Sequence, residues 1–145
     1  MKSKLLSDSG ERTFAIVFDA GDEAVEGLTA FAKQEGLRGS HFTGIGAFRD
    51  AVLGYFDWET KEYQRIPVDE QVEVLSLVGD IALSDGKPAV HAHVTLGKAD
   101  GSAHGGHLLS AHVRPTLEVV LAESPQHLRR TPNAESGLPL IDLDQ

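Results

Sequence analysis

The sequence predicts an α+β or mainly β domain, a curled sheet or partial barrel with one helix laid on it. Three observations carry that prediction. Many short runs alternate apolar and polar residues with the two-residue period of strands. Only the stretch from Asp22 to Gly36 repeats its apolar residues at helical spacing. Gly, Pro and Asp interrupt the runs at short intervals, as turns require. A chain of 145 residues is the size of one domain with its own core, so a single domain over residues 1–145 is expected.

Over residues 12–19, Phe14, Ile16 and Phe18 fall on one face and Thr13, Ala15 and Val17 on the other, a strand partly covered on both sides. Gly21-Asp22 ends it. Asp22 is expected to cap the helix, with Glu23 in the first turn. Val25, Leu28, Phe31 and Ala32 would face the sheet, and Gly36 would stop the helix. Residues 39–48 form the next strand. Its Gly44-x-Gly46 lacks the third glycine and the following helix of a phosphate loop. Those glycines are expected at a bulge or a close backbone approach. His41 reads as a strand-edge residue, with a pocket role as the alternative.

Residues 51–58 read as a strand, with Val52, Gly54, Phe56 and Trp58 opposite Leu53, Tyr55 and Asp57. Glu59-Thr60-Lys61 is a turn and residues 62–66 the return strand. A break at residues 67–70 precedes a long strand over 71–83, with Gly79 expected at a bulge or bend. Ser84-Asp85-Gly86-Lys87 turns the chain into residues 88–107, and residues 116–122 form a strongly apolar strand. The tail, 124–145, contains Pro125, Pro132 and Pro139 and reads as loop, with residues 138–143 as the part that would be pinned to the sheet.

Composition narrows the chemistry. There is no cysteine, which excludes disulfides, thiolate-bound zinc and a cysteine nucleophile, so any metal site must use His, Asp or Glu. A net charge of −9 argues against direct DNA binding by this chain alone, because that affinity comes largely from neutralising phosphates. Arg129-Arg130 is too small a cluster to change this. No apolar run approaches the ~20 residues of a membrane span. The first six residues lack the apolar core of a signal peptide, and a cytoplasmic location is expected.

Residues 88–107 hold four of the seven histidines: His91, His93, His104 and His107. Strand alternation puts His91, His93 and Thr95 on one face and Val90, Ala92, Val94 and Leu96 on the core face. Lys98-Ala99-Asp100-Gly101 fits a type I turn closed by a left-handed glycine, the common three-residue hairpin loop. That loop pairs Lys98 with Ser102. Counting back, Leu96 faces His104, Thr95 faces Gly105 and His93 faces His107. Directly opposite residues share a face with Cβ atoms about 4.5–5.5 Å apart. His107 then joins His91 and His93, while His104 falls outside the set. A bulge at Gly105-Gly106 would reverse that choice. Three neutral imidazoles with one open position form a usual catalytic zinc site, although other divalent transition metals also accept imidazole. The plainer alternative is three surface or interface histidines. Glu118 and Glu73 interrupt apolar strands and are the candidate proton-transfer or supporting carboxylates, or else exposed strand residues.

At these residues the sequence resembles the plants-and-prokaryotes conserved (PPC) domain family. The matching runs are Thr43-Gly44-Ile45-Gly46-Ala47 followed by Leu53-Gly54-Tyr55-Phe56-Asp57, then Glu73-Val74-Leu75-Ser76-Leu77-x-Gly79, His91-Ala92-His93, Gly105-Gly106-His107-Leu108 and Thr116-Leu117-Glu118-Val119-Val120. They run in order over roughly residues 12–123, leaving 124–145 as a tail. The resemblance implies an α+β fold with a strongly curved, mainly antiparallel sheet and one packed helix, assembled as a homotrimer. It also implies kinship of fold with acetolactate decarboxylase, whose zinc is held by a His-x-His pair and a later histidine. Carried over, those ligands are His91, His93 and His107. Plant members of the family are DNA-associated but carry a separate AT-hook, and this chain has no Arg-Gly-Arg-Pro run.

Two functions follow as expectations. One is a metal-dependent enzyme acting on a small molecule by hydrolysis or decarboxylation. His91, His93 and His107 would be its ligands, and Glu118 or Glu73 would transfer the proton. Arg49 or Arg114 would hold an anionic substrate by a forked hydrogen bond, with plain surface placement as the favoured alternative for either. The other is a non-enzymatic trimeric module for regulation or DNA-associated interaction.

Overall fold

The computed structural model describes residues 1–8, 10–124 and 127–143. In chain order these form β1 (Lys2–Asp8), β2 (Arg12–Phe18), α1 (Ala24–Glu35), β3 (Gly39–Asp57), β4 (Glu62–Val68), β5 (Val72–Ser84), β6 (Lys87–Gly97), β7 (Ala103–Glu123), β8 (Arg129–Pro132) and β9 (Pro139–Asp142). The strands make one sheet in the order β1-β2-β7-β3-β5-β8-β9, with β4 added to β3. β6 pairs with both β5 and β7, so the circuit β7-β3-β5-β6 closes on itself while the two ends stay open. Every pairing between these strands is antiparallel except β5 with β8. The α+β class and the curved sheet are as the sequence predicts.

β3 and β7 make the spine. Each is a single long strand where the sequence suggests two runs. Arg49-Asp50 reads as a polar interruption, yet Asp50 pairs with His112 of β7 and accepts a hydrogen bond from its ring. A polar pair across two strands extends a sheet as well as an apolar pair does. The register shifts near Gly46, Phe48 and Val52 let these long strands bend. Gly46 is required there: a Cβ would lie 2.3 Å from the Thr116 carbonyl oxygen, at a φ of +155°.

One face of the curved sheet and α1 enclose the core, including Phe14, Ile16, Phe18, Phe42, Phe48, Leu77, Leu96 and Leu117. α1 contributes Ala24, Leu28, Phe31 and Ala32, and Phe14 meets Phe31 edge-on at 5.1 Å. The helix stops at Gly36, with φ +63°, as predicted. Its cap is Glu23 rather than Asp22. The Glu23 side chain accepts from the Glu26 amide, while the Asp22 carboxylate accepts from the Asp19 amide and pairs with the N-terminal amine.

Other elements also depart from the sequence reading. β1 is polar enough to escape a period-two search, and forms because an edge strand needs only one partner, β2. β4 continues through Pro67-Val68, which an edge position tolerates. Gly79 sits in regular register, and the β5 bulge falls between Val74 and Ser76 instead. Gly79 marks a close approach: a Cβ there would lie 2.4 Å from both the His91 carbonyl oxygen and the Phe42 ring. The tail is not all loop. β9 holds the segment expected to be pinned, and β8, which the sequence does not signal, links it to β5. Pro125 of the tail lies outside the described residues. Among the described residues, no helix is long and apolar enough to cross a membrane.

Candidate metal centre

The β6–β7 hairpin has the register counted from its turn. The Lys98 amide donates to the Ser102 carbonyl, the Gly101 amide donates to the Lys98 carbonyl, and Gly101 has φ +82°. The Asp100 carboxylate fixes the loop by accepting from the Ser102 amide and hydroxyl. His93 therefore pairs with His107, Thr95 with Gly105 and Leu96 with His104. Ala92, Val94 and Leu96 are buried in the core, which turns the histidines to the outer face.

His91, His93 and His107 each place a ring nitrogen within 4.8 Å of those of the other two. Nε2 of His91 and Nε2 of His93 are 3.2 Å apart. Zinc–nitrogen bonds of about 2.0–2.1 Å put the nitrogens of a tetrahedral site roughly 3.3 Å apart, so this pair already has metal spacing. His107 Nδ1 is buried with no hydrogen-bond partner. A buried polar atom in that state is costly, and a cation is a partner that a neutral imidazole nitrogen accepts. Burial, and then the neighbouring His91 and His93, push His107 down to about 4. Burial, followed by His91, also lowers His93. Neutral imidazole is the form that binds a metal. His104 is exposed and outside the set, and exposed His41 pairs with Asp80 across β3 and β5 without joining it.

Residues beyond the three histidines complete the site. Tyr63 of β4 stacks on His107, with centroids 4.7 Å apart and planes at 28°. Gly54 makes room for it, since a Cβ there would lie 2.8 Å from the Tyr63 ring. Asp80 of β5 pairs with His91 in the sheet, its carboxylate 3.7 Å from His91 Nδ1. Burial opposes ionisation of Asp80, but the nearby His91 and the hydrogen bond from Arg130 outweigh it and hold the carboxyl below its usual range. Arg130 of β8 donates to Asp80 at 2.5 Å and lies 3.3 Å from His91 Nδ1. A cleft of about 220 Å³ opens beside His91 and His107, walled by Tyr63, Arg130 and the apolar Leu138, Pro139 and Leu140.

The sequence-based carboxylates lie elsewhere. Glu73 and Glu118 line a separate groove with Ile45, Leu75, Pro115 and Thr116. Glu118 pairs with Ile45, one alternate position from the row His93-Val78-Thr43-Val120. Followed along the sheet through β3 and β5, three strand spacings lie between it and His93, a path of about 14 Å. Glu73 pairs with Gly97, four residues along β6 from His93, about 13 Å away. Neither carboxylate lines the cleft beside His91 and His107, while direct proton transfer needs hydrogen-bond reach. Arg49 is paired with Asp50, and exposed Arg114 does not line the cleft. The arginine at the site is Arg130. Its only sequence signal was the pair Arg129-Arg130, which reads as a small basic cluster in a loop.

Comparison with known proteins places this geometry. The chain matches the Plants and Prokaryotes Conserved (PCC) domain over residues 6–125. A plant- and prokaryote-conserved protein from Pyrococcus horikoshii superposes with a TM-score of 0.86 at 36% identity, covering 92% of this chain and 93% of that one. The metal-containing protein AF0104 from Archaeoglobus fulgidus gives 0.84 at 36% identity, over 97% and 96%. A protein from Bacteroides thetaiotaomicron, named as a candidate DNA-binding protein, gives 0.89 at 31% identity, over 99% of both chains. Alpha-acetolactate decarboxylase from Bacillus subtilis strain 168 gives 0.54 at 12% identity over 76% and 51%, a likeness of fold alone. Among curated relatives, the bifunctional protein GlmU from Synechococcus sp. (strain JA-3-3Ab) is 30% identical over 137 residues. The chain spans only 21% of that relative's length.

Proposed function

The chain belongs to the Plants and Prokaryotes Conserved domain family, and from that premise we propose that it is a homotrimeric metal protein. Its His91, His93 and His107 hold zinc or another divalent transition metal, and the centre acts on a small molecule. The observation that carries this is the triad itself: three ring nitrogens within 4.8 Å, with a buried nitrogen of His107 left unpartnered. The metal-containing name of the Archaeoglobus relative supports the same reading. A bound metal with an open position would supply Lewis-acid polarisation or an activated water, chemistry suited to hydrolysis or decarboxylation. The chain's own residues would orient the ligands through Asp80, support His107 through Tyr63 and shape the entry through the apolar wall of the cleft. A proton-transfer role for Glu118 or Glu73 would require a second copy to bring its groove over the triad.

Elemental analysis of untagged, dialysed protein tests the metal reading, with the His91→Ala/His93→Ala/His107→Ala variant alongside. About one metal ion per chain is expected in the wild type and none in the variant. Equal metal content in both would remove the proposal.

A second reading, a non-enzymatic trimeric interaction module, is favoured by the exposed Ile45, Leu75, Val78 and Val120 on the outer face. Metal-dependent turnover of any small molecule would count against it. The net charge of −9 gives phosphates no general attraction, so the DNA-binding name of the Bacteroides relative is not extended to this chain.

A further inference from the structure

We propose that the β8–β9 hairpin is part of the metal centre, with Arg130 as a positioning residue that holds Asp80 so that Asp80 orients His91. The inference rests on the metal-binding reading above. It concerns residues 129–142, which lie beyond the segment matched by the family domain.

His91 turns Nε2 toward His93, which leaves Nδ1 on the side of Asp80 and Arg130. A neutral imidazole that binds metal through one nitrogen carries its proton on the other and needs an acceptor there. Among the described residues, Asp80 is the carboxylate nearest that position, its Oδ2 3.7 Å from Nδ1, while Arg130 Nη2 lies 3.3 Å from the same nitrogen; metal binding at Nε2 would put the proton on Nδ1 and draw Asp80 into hydrogen-bond range. Arg130 fixes it. The guanidinium side chain is only 8% exposed, Nη2 donates to Asp80 Oδ1 and Nη1 donates to the Pro139 carbonyl. One side chain therefore ties Asp80 of β5 to the turn-facing end of β9.

Among the described residues, few backbone hydrogen bonds hold β8 to the sheet, with the Leu128 amide also donating to the Arg38 carbonyl just before it. It pairs with β5 at Arg129 and Ser84's partner Arg130, preceded by the hydrogen bond from the Leu83 amide to the Leu128 carbonyl. A short edge segment with so few bonds belongs to the low-stability end of a structure. Its docking depends on the Arg130–Asp80 contact, and the same contact presents the acceptor to His91. Metal binding and hairpin docking are then linked, and linkage is reciprocal: whichever favours one favours the other. The docked hairpin also supplies Leu138, Pro139 and Leu140 to the cleft, so it sets which ligands reach the metal.

The test uses the full chain with zinc as the probe. Zinc affinity is measured by chelator competition for the wild type, Arg130→Met, Arg130→Lys, Asp80→Asn and the Arg130→Met/Asp80→Asn double variant. Hydrogen exchange of residues 127–143 is followed in the wild type with and without zinc. Loss of a partner that orients a ligand typically costs about 10–100-fold in metal affinity, and that loss is expected for Arg130→Met and for Asp80→Asn. The double variant should be no weaker than Asp80→Asn alone, because Arg130 acts through Asp80. Arg130→Lys should recover part of the affinity, and zinc should slow exchange in the hairpin. Zinc binding by Arg130→Met within about twofold of wild type, or hairpin exchange indifferent to zinc, overturns the inference while leaving the metal site standing. A wild type that takes up no zinc overturns both.

Discussion

His107 joins the strand geometry to the electrostatics of the site. In the metal-free protein its imidazole is driven down to about 4, first by burial and then by His91 and His93. The same group in the unfolded chain titrates near 6.5. Between those values the unfolded state binds a proton that the folded state refuses. The stability associated with a neutral His107 is therefore complete above pH 6.5 and is lost as pH falls through about 4. Chelator-treated protein should show a Tm that falls across this window, and His107→Gln should show a shallower fall. Equal slopes for the two proteins would mean that His107 does not titrate as its surroundings imply. At this scale the sequence was informative where contacts are set by a local turn. Ala99-Asp100-Gly101 fixes the register, and the register separates His107 from His104. Arg130 was not legible. It reaches Asp80 and His91 across 50 and 39 residues, from a four-residue strand too short to show a period.

Elements show the same division between local and non-local causes. The β5–β6 and β6–β7 turns announce themselves by Asp85-Gly86 and Asp100-Gly101, which adopt the positive φ or tight geometry such turns need. The continuity of β3 and β7 was hidden because polar Arg49-Asp50 resembles a break, and only the partner strand reveals Asp50 bonded to His112. Glycines at close approaches offer a measurement that separates stability from site geometry. A methyl at Gly46 would strike the Thr116 carbonyl oxygen, and one at Gly79 would strike the His91 carbonyl oxygen and the Phe42 ring. Overpacking of this kind costs about 1–3 kcal/mol, sometimes more. Gly46→Ala and Gly79→Ala should both shift urea midpoints downward by a comparable amount. Only Gly79→Ala displaces the backbone that carries His91, so only it should weaken zinc binding. Unchanged zinc affinity in Gly79→Ala would show that β6 absorbs the collision without moving the ligand.

At the scale of the molecule, the outer face of the sheet is organised in one continuous row, Ala15-Val120-Thr43-Val78-His93, read across β2, β7, β3, β5 and β6. Ile45 is 61% exposed and Val120 51%, and Leu75 and Val78 are exposed beside them. Scattered apolar residues on a surface need no explanation, but a contiguous patch on a regular sheet face marks an interaction site. The metal centre lies at one end of this row, and the groove of Glu73 and Glu118 borders the patch. A closed assembly of identical chains would cover the patch and bring each groove against a neighbour. The family resemblance makes three the expected number of chains. Sedimentation of the wild type should give a trimer, and Ile45→Lys/Val120→Lys should give a monomer that retains zinc, because neither residue touches the triad. A double variant that remains trimeric would place the contact on another face and would leave Glu73 and Glu118 with no route to the histidines. A monomer that loses its zinc would instead mean that assembly completes the metal site.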